Sequence, residues 1–476
     1  MDSKLPQTQK EYSASIDGQY RCDTQLRTRK AGRRRKKPKV VKRSVGEALA
    51  ILVRHCFPKF WNNIEAIEEP RDTDKLTYPL RQVLCLCIFM FASRVSSRRE
   101  LDRISDNVLF RDNLCLFSGK QTQTVMVSEQ MVNVFKKLDP DELATVQPEL
   151  VRTLIEKKRV PDAYVLGHLA VCSDATGIFS SSSYHCDECL TQKHKDGRIV
   201  YMHNMLEAKV LCANGMAISL MSEPVKNRAD GCYEKQDCET KAFKRLIPRI
   251  KQTFPRQPLL HLLDSLYAQA PVFKLLAQCK HQFICNFKRG SIPTLYNEAI
   301  ELFKFVPENK LNLRTTVGDK GEVSQTIRWL DNLQYKGMTL GFVRCEELDK
   351  HGKLSVYVWL TSFAITKQNV QEIARAGRMR WKIENEGFNE QKNGYEMEHF
   401  CNCNDFNVML CLYLILQIAH MFMQLLAKSN LLDEPVQVLK HLAYLLLESL
   451  RNYLLPRAVP DQDLPPMQIR FAKAPT

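Results

Sequence analysis

The sequence predicts a multidomain α+β protein, and three observations support that prediction. Apolar residues recur at helical spacing between Gly46 and about Val160. From Tyr164 to Phe287 short apolar runs follow, some ending in an acid, as buried strands do when they carry a functional group. The chain has 476 residues, which is too long for a single hydrophobic core. About two to four domains are therefore expected.

The composition indicates a polyanionic partner. The formal net charge is +16, and 44% of the residues are apolar, which is ample for a folded chain. Such a charge favours binding to nucleic acid or to an anionic membrane surface. The most apolar stretch, 408–426, contains Gln417, His420 and Gln424, so we expect a core helix and no membrane segment. No signal peptide is visible, and the 17 cysteines are expected to be reduced thiols.

Residues 1–45 form the first predicted unit, a disordered basic arm. Low apolar content and high charge are typical of such segments. The arm could lie along DNA phosphates or act as an import signal, and a solubilising tail is the alternative. Its most basic run contains Arg33, Arg34, Arg35, Lys36 and Lys37.

Residues 46–160 form the second predicted unit, a helical domain. Apolar faces at three- and four-residue spacing mark helices around 48–52, 80–89 and 143–155. Ser96 and Ser97 are typical of a helix N-terminus. The domain could bind DNA, although the pattern does not specify a helix-turn-helix.

Residues 161–288 are predicted to form most of a β-containing core. We expect strands at 165–174, 202–211, 216–221, 259–268 and 282–287, and an amphipathic helix at 238–254. Glu239, at the start of that helix, belongs to an acidic cluster that we interpret as a solvated helix end. Residues 289–365 are predicted to be a β-rich insertion. Trp329 and Trp359 lie on its strands, where core packing is favoured over stacking on a base.

The stretch RMRWKIENEGFNEQKNGY, residues 378–395, is predicted to be one helix with a functional face. Arg380 and Glu384 share that face because residues four apart stack on a helix. On an α-helix Gln391 points about 20° from the Glu384 direction and Lys392 about 80°. A purely structural Arg380–Glu384 pair is the alternative to a metal ligand flanked by phosphate-binding cations. Residues 161–288 and 366–400 together are predicted to form the core. Residues 401–476 are predicted to be C-terminal helices.

Asp174, Asp264 and Glu384 form a candidate catalytic set. Three antiparallel strands, a helix, a strand and a late helix match a ribonuclease-H-like fold, in which such acids converge. Carboxylates suit Mg²⁺ or Mn²⁺, and two such ions can promote reactions at phosphorus. Glu386 is an alternative third ligand, although it faces away from Glu384 on a helix. Asp174 could instead cap the following turn.

The core resembles the DDE transposases of the insertion-sequence 4 superfamily, which place a β-rich domain between the second and third acids. Their signature, Tyr-(2)-Arg-(3)-Glu-(6)-Lys, matches Arg380 and Glu384 within RWKIE. Gly377 stands at the tyrosine position, and Lys392 comes one residue late, with Gln391 in its place. The likeness covers residues 165–400 in pieces. It includes SDATGIFSSSSYHCDECL, EKQDCETKAFKR and ENEGFNEQKNGYEMEH, which are similar to one branch of these enzymes.

This resemblance implies a DNA transposase that binds element ends, cleaves the DNA and joins the 3′-OH to target DNA. It also implies a homodimer on DNA and a bacterial, cytoplasmic, nucleoid-associated location. A transposase-derived DNA-binding protein without catalysis and a metal-dependent nuclease are the alternatives. Two Mg²⁺ or Mn²⁺ ions would be held by Asp174, Asp264 and Glu384, and DNA would be gripped by Arg380, Gln391 and Lys392.

The segment His185-Cys186-x-x-Cys189 suggests a second, zinc-binding site because it has zinc-ligand spacing. A structural zinc ion usually needs four ligands, so one such segment is incomplete. Reduced cysteines in a polar loop are the alternative. Further candidate ligands are His194, His203, Cys232, Cys238, His399, Cys401 and Cys403.

Overall fold

The structure is a computed structural model that describes residues 43–95, 97–227, 235–316, 321–400, 405–432, 438–455 and 468–472. From Arg43 onward the chain forms one compact unit in which a large mixed sheet is combined with helices. The protein is therefore of the α+β type, as the sequence predicts. Several predicted sites lie outside the described residues, namely Arg33, Arg34, Arg35, Lys36, Lys37, Cys232, Cys401 and Cys403.

Helices occupy the chain between Val45 and Glu156, where the sequence predicts them. Ser97 accepts a hydrogen bond from the Glu100 amide and so caps its helix, as predicted. The helix predicted at 143–155 is divided at Thr145. The helices are Val45–Cys56 (α1), Phe60–Glu65 (α2), Leu80–Ala92 (α3), Arg98–Ser105 (α4), Val108–Ser118 (α5), Ser128–Phe135 (α6), Pro140–Ala144 (α7) and Val146–Glu156 (α8).

Among the described residues, eleven strands form one sheet. Its order is β3-β4-β2-β6-β7-β11-β10-β9-β8, and β1 and β5 pair with β2 and β4 respectively. The strands are Tyr164–Val165 (β1), His168–Ser181 (β2), Leu190–Lys193 (β3), Ile199–Leu211 (β4), Ala217–Val225 (β5), Leu259–Leu263 (β6), Gln282–Asn286 (β7), Lys310–Thr316 (β8), Glu322–Tyr335 (β9), Met338–Asp349 (β10) and Leu354–Thr361 (β11).

The sheet has an antiparallel part and a parallel part. β2, β4 and β5 are antiparallel neighbours, whereas β6 and β7 continue parallel to β2. β11 pairs with β7, so the segment predicted as a β-rich insertion extends the same sheet. The sequence predicts a strand that ends at Asp174, but β2 continues to Ser181 because its pairing with β4 persists to that residue.

The helices that accompany the sheet include an irregular one at the predicted signature. They are Glu239–Thr253 (α9), Ala270–Gln278 (α10), Pro293–Leu302 (α11), Val370–Met379 (α12), a π-helix at Ile383–Asn389, Glu390–Tyr395 (α13) and Met397–Phe400 (α14). The prediction of one continuous α-helix over 378–395 is therefore wrong. The π-helix interrupts it within the residues that carry the signature.

Two C-terminal helices, Phe406–Lys428 (α15) and Leu439–Asn452 (α16), complete the fold. α15 packs against α3 and α1, and α16 also packs against α1. α15 is long and apolar enough to cross a membrane, but its apolar window is entirely buried inside the protein. It is therefore a core helix, as the sequence predicts, and it also contacts β5 of the sheet.

Candidate active site

The three predicted acids converge from three separate elements. Asp174 lies within β2, Asp264 directly follows β6, and Glu384 lies in the π-helix. β2 and β6 are parallel neighbours, so the first two acids lie toward the same end of the sheet. The π-helix packs against β2 and brings Glu384 to them. The fold thus assembles a carboxylate cluster from residues that are far apart in the sequence.

Arg380 holds this cluster together. Its guanidinium nitrogens lie 3.4 Å from Asp174 Oδ2, 4.0 Å from Asp264 Oδ1 and 3.0 Å from Glu384 Oε1. Arg380 is only 5% exposed, and its guanidinium also lies over the exposed Trp381 ring, 4.9 Å from the centroid. Its positive charge offsets the mutual repulsion of the acids. The guanidinium predicted to bind DNA is therefore directed at the cluster in this conformation.

The side chains of the cluster are carboxylates, the donor type that hard divalent cations prefer. The Asp174, Asp264 and Glu384 side chains are 22%, 36% and 36% exposed, so their oxygens are accessible from solvent. Carboxylate oxygens are the ligands that Mg²⁺ and Mn²⁺ prefer. The Ala175 amide donates to Asp174 Oδ1 at 3.0 Å, which fixes that carboxylate. In this conformation the carboxylates surround the Arg380 guanidinium, and the group whose geometry could hold a metal ion among the described residues is a different one.

Glu239 is a fourth acid at this cluster that the sequence prediction missed. It lies in the first turn of α9, and buried Tyr267 donates a hydrogen bond from Oη to Glu239 Oε1 at 2.6 Å. Burial and then the negative charge of Glu239 raise the pKa of Asp174 to about 6. Burial likewise raises the pKa of Glu239, with the charge of Asp264 contributing. Glu239 does lie at a helix start, as predicted, but it is partly buried and bonded to Tyr267, so the expectation that it is fully solvated is corrected.

The π-helix changes the direction in which Lys392 points relative to Glu384. A turn closed by i→i+5 hydrogen bonds holds about one residue more than an α-helical turn. Each residue after the π-helical turn therefore points in about the direction that the preceding residue would have in a continuous α-helix. Lys392 is the eighth residue after Glu384, and it takes the angular place that the seventh would have in an α-helix. Lys392 therefore points toward the same side of the helix as Glu384.

Gln391 turns into the interior, which corrects its predicted contact with DNA. It is fully buried, and its Nε2 lies 2.7 Å from Gln417 Oε1 and 3.1 Å from His420 Nδ1. Lys392 is instead partly exposed, and its Nζ pairs with Glu398 Oε1 at 2.9 Å. A pair this exposed contributes little stability, so Lys392 can exchange Glu398 for a phosphate.

A buried polar network fastens the π-helix and α13 to α15. Lys209 Nζ of β4 donates to Gln417 Oε1 at 2.7 Å, and the Lys209 chain lies against Gly387 of the π-helix. The His420 ring bonds to the Glu390 carboxylate at 2.6 Å. Burial lowers the pKa of Lys209 to about 8. Since buried polar groups are costly when unpaired, the network favours one orientation of this segment.

Gly377 lies where the structure leaves no room for a side chain. A Cβ on Gly377 would lie 2.3 Å from Trp359 Nε1, so the Trp359 indole occupies the space next to the helix. Trp359 is 2% exposed and Trp329 is 5% exposed. Core packing of both tryptophans, as predicted, is confirmed.

A second cluster lies at the loop between β2 and β3, where Cys186, Cys189 and His203 could hold a metal ion. His185, predicted as a ligand, is not part of this group. Its ring stacks on Tyr201 with the centroids 4.4 Å apart. The ligand prediction is therefore corrected from His185 to His203, which lies on β4 opposite Phe179.

No protein-family model matches this chain, and a search of curated proteins found no significant similarity.

Proposed function

We propose that this protein is a metal-dependent DNA transposase. The observation that carries the proposal is the convergence of Asp174, Asp264 and Glu384 around Arg380. Each acid comes from a different element, and all three lie within 4.0 Å of the guanidinium. A purely structural ion pair would need only one of these acids. Three partly exposed carboxylates that share one cation are typical of a catalytic cluster.

The order of the strands supports a ribonuclease-H-like core. Three antiparallel strands, β2, β4 and β5, are followed by α9 and then by β6 and β7, parallel to β2. The first acid lies on the central strand β2, the second follows β6, and the third comes from a late helix. This is the arrangement that the resemblance to DDE transposases implies.

The acids would hold the divalent ions and so place them beside the scissile phosphate. Bound Mg²⁺ or Mn²⁺ would supply Lewis-acid stabilisation of the attacking and leaving oxygens. Without metal ions, Arg380 neutralises the charge of the carboxylates. Once bound ions neutralise part of that charge, the guanidinium could contact a phosphate. Lys392 adds a second cation on the same face as Glu384. Glu239 adds negative charge beside Asp174 and strengthens the attraction for cations.

The rest of the chain suits a DNA substrate. The net charge of +16 attracts polyanions, and the arm carries five consecutive cations at residues 33–37. We propose that the protein acts as a homodimer on the two ends of its element, in a bacterial cytoplasm, and that the DNA lies across the carboxylate cluster.

The test is an assay of the purified protein with DNA of its own element ends and Mn²⁺, scoring both nicks and joined products. Asp174→Asn, Asp264→Asn and Glu384→Gln should each lower both products at least 100-fold, since a cation site loses a charged ligand. Binding to the same DNA without divalent ions should change less than threefold. Glu386→Gln is the matched control, because Glu386 pairs with Lys382 at 3.2 Å instead of Arg380.

Each result of that assay has a distinct meaning. Normal cleavage by any one of the three variants would remove that residue from the site. Nicks without joined products would identify a nuclease. DNA binding with no cleavage under Mg²⁺ or Mn²⁺ would identify a DNA-binding protein without catalysis.

A further inference from the structure

We propose that Cys186, Cys189 and His203 bind a structural zinc ion, independently of the carboxylate cluster. The three donor atoms come from two segments that β pairing brings together. Cys186 and Cys189 lie in the loop between β2 and β3, and His203 lies on β4. Their ligand atoms all lie within 4.8 Å of one another.

The distances fit a tetrahedral ion. His203 Nε2 lies 3.0 Å from Cys186 Sγ and 3.3 Å from Cys189 Sγ, and the two sulfurs are 3.6 Å apart. Ligand atoms of a tetrahedral zinc ion lie about 3.5–3.8 Å apart, given the usual Zn–S and Zn–N lengths. An opening of a few tenths of an ångström would admit the ion. The sulfur separation is far above the roughly 2.05 Å of a disulfide.

The loop is held in place before any ion binds. The Cys186 amide donates to Cys189 Sγ at 3.4 Å, and the Cys189 amide donates to the Cys186 carbonyl at 3.2 Å. From outside the loop, Asn227 Nδ2 donates to the Cys189 carbonyl at 2.8 Å. These bonds aim both sulfurs at His203. A preformed site loses less entropy when it binds its ligand.

There is also room for the ion and a fourth ligand. The donors lie on the wall of a cavity of about 200 Å³, which Tyr184, His185 and Met409 also line. Two thiolates and an imidazole are soft and borderline ligands, which favour zinc over Mg²⁺ or Mn²⁺. This site would therefore select a different ion from the one proposed for the carboxylate cluster. Zinc here would tie the loop that follows β2, the strand of Asp174, to β4.

The test is the metal content of the full chain, purified under reducing conditions without chelator. We expect about one zinc per chain, reduced at least tenfold by Cys186→Ser and by His203→Ala. His203→Cys should retain zinc because it restores a ligand. Cys238→Ser is the matched control, because Cys238 is exposed and its Sγ lies near Thr240 Oγ1 at 3.3 Å.

A second measurement covers the case in which the ligand variants fail to fold. Co²⁺ added to the metal-depleted wild-type chain should give the visible absorption of a tetrahedral cobalt–thiolate site, and equimolar Zn²⁺ should abolish it. Absence of zinc from freshly prepared protein together with no cobalt absorption would overturn the proposal. Undiminished zinc in both Cys186→Ser and His203→Ala would do the same.

Discussion

Asp174 shows at the residue scale how the candidate site opposes stability. Burial, followed by the charge of Glu239, raises its pKa to about 6. A carboxyl group whose pKa is raised by folding destabilises the folded state when it is ionised. The loss of folding free energy is complete above about pH 6, and it disappears as the pH falls toward the ordinary pKa of an aspartate. Selection for stability alone would not retain an aspartate there.

We therefore predict that Asp174→Asn stabilises the metal-free protein while it abolishes cleavage. The free energy of unfolding should rise by about 1–3 kcal/mol at pH 8, and the gain should be smaller at pH 5. Urea unfolding of the wild type and the variant at pH 8 and at pH 5 measures these two changes in the free energy of unfolding. Glu386→Gln should change the same quantity by less than about 0.5 kcal/mol at either pH. A loss of stability at pH 8 would show that Arg380 outweighs burial.

At the scale of elements, the π-helix directs the Gln391 side chain into the interior and the Lys392 side chain outward. The residue that α-helical geometry places nearest Glu384 is buried against α15, and its neighbour takes the outward position. A single irregular turn thus decides which of the two side chains is exposed at the surface. The Lys209 network and Gly387 hold that turn against the sheet and α15.

Two variants test this assignment in opposite ways. Lys392→Ala should weaken DNA binding and lower the salt slope by about one, since the variant can no longer neutralise one phosphate. The Lys392→Ala variant should leave the free energy of unfolding nearly unchanged.

Gln391→Leu should lower the free energy of unfolding by about 1–3 kcal/mol, because Gln417 and His420 lose a buried partner. Its salt slope should match that of the wild type. The reverse pattern would show that the π-helix does not persist on DNA.

At the scale of the whole molecule, the charge of the basic arm and that of the cluster have separate roles. Each phosphate that a protein cation neutralises adds about 0.9 to the slope of log affinity against log salt. Replacing the five cations at positions 33–37 with glutamine should therefore lower the slope by up to about 4.5, similarly for all DNA sequences. Binding titrations at several salt concentrations on two unrelated duplexes measure this. Weaker binding to only one of the two duplexes would indicate that the arm reads bases.

Local patterns in the sequence were sufficient for several parts of the molecule. The three- and four-residue spacing of apolar residues predicted the N-terminal helices, and short apolar runs predicted the central strands. Gln417, His420 and Gln424 within the most apolar stretch predicted that α15 is a core helix. Acids at the ends of apolar runs singled out Asp174 and Asp264, and the helical spacing to Arg380 singled out Glu384. Their convergence was predicted from the order of the strands and helices. These features depend on short-range chemistry, because the side-chain period and the polarity of one segment fix which face is buried.

Tertiary structure decided the rest, because these features depend on residues far apart in the chain. Trp359 on β11 requires glycine at position 377, and α15 supplies the partners that bury Gln391. α9 brings Glu239 to the acids, and β4 brings His203 to the two cysteines. No local period encodes these contacts, since each pairs segments whose distance in space is set only when the sheet and its helices pack. The sequence by itself determined which residues could do chemistry, and packing determined which of them meet.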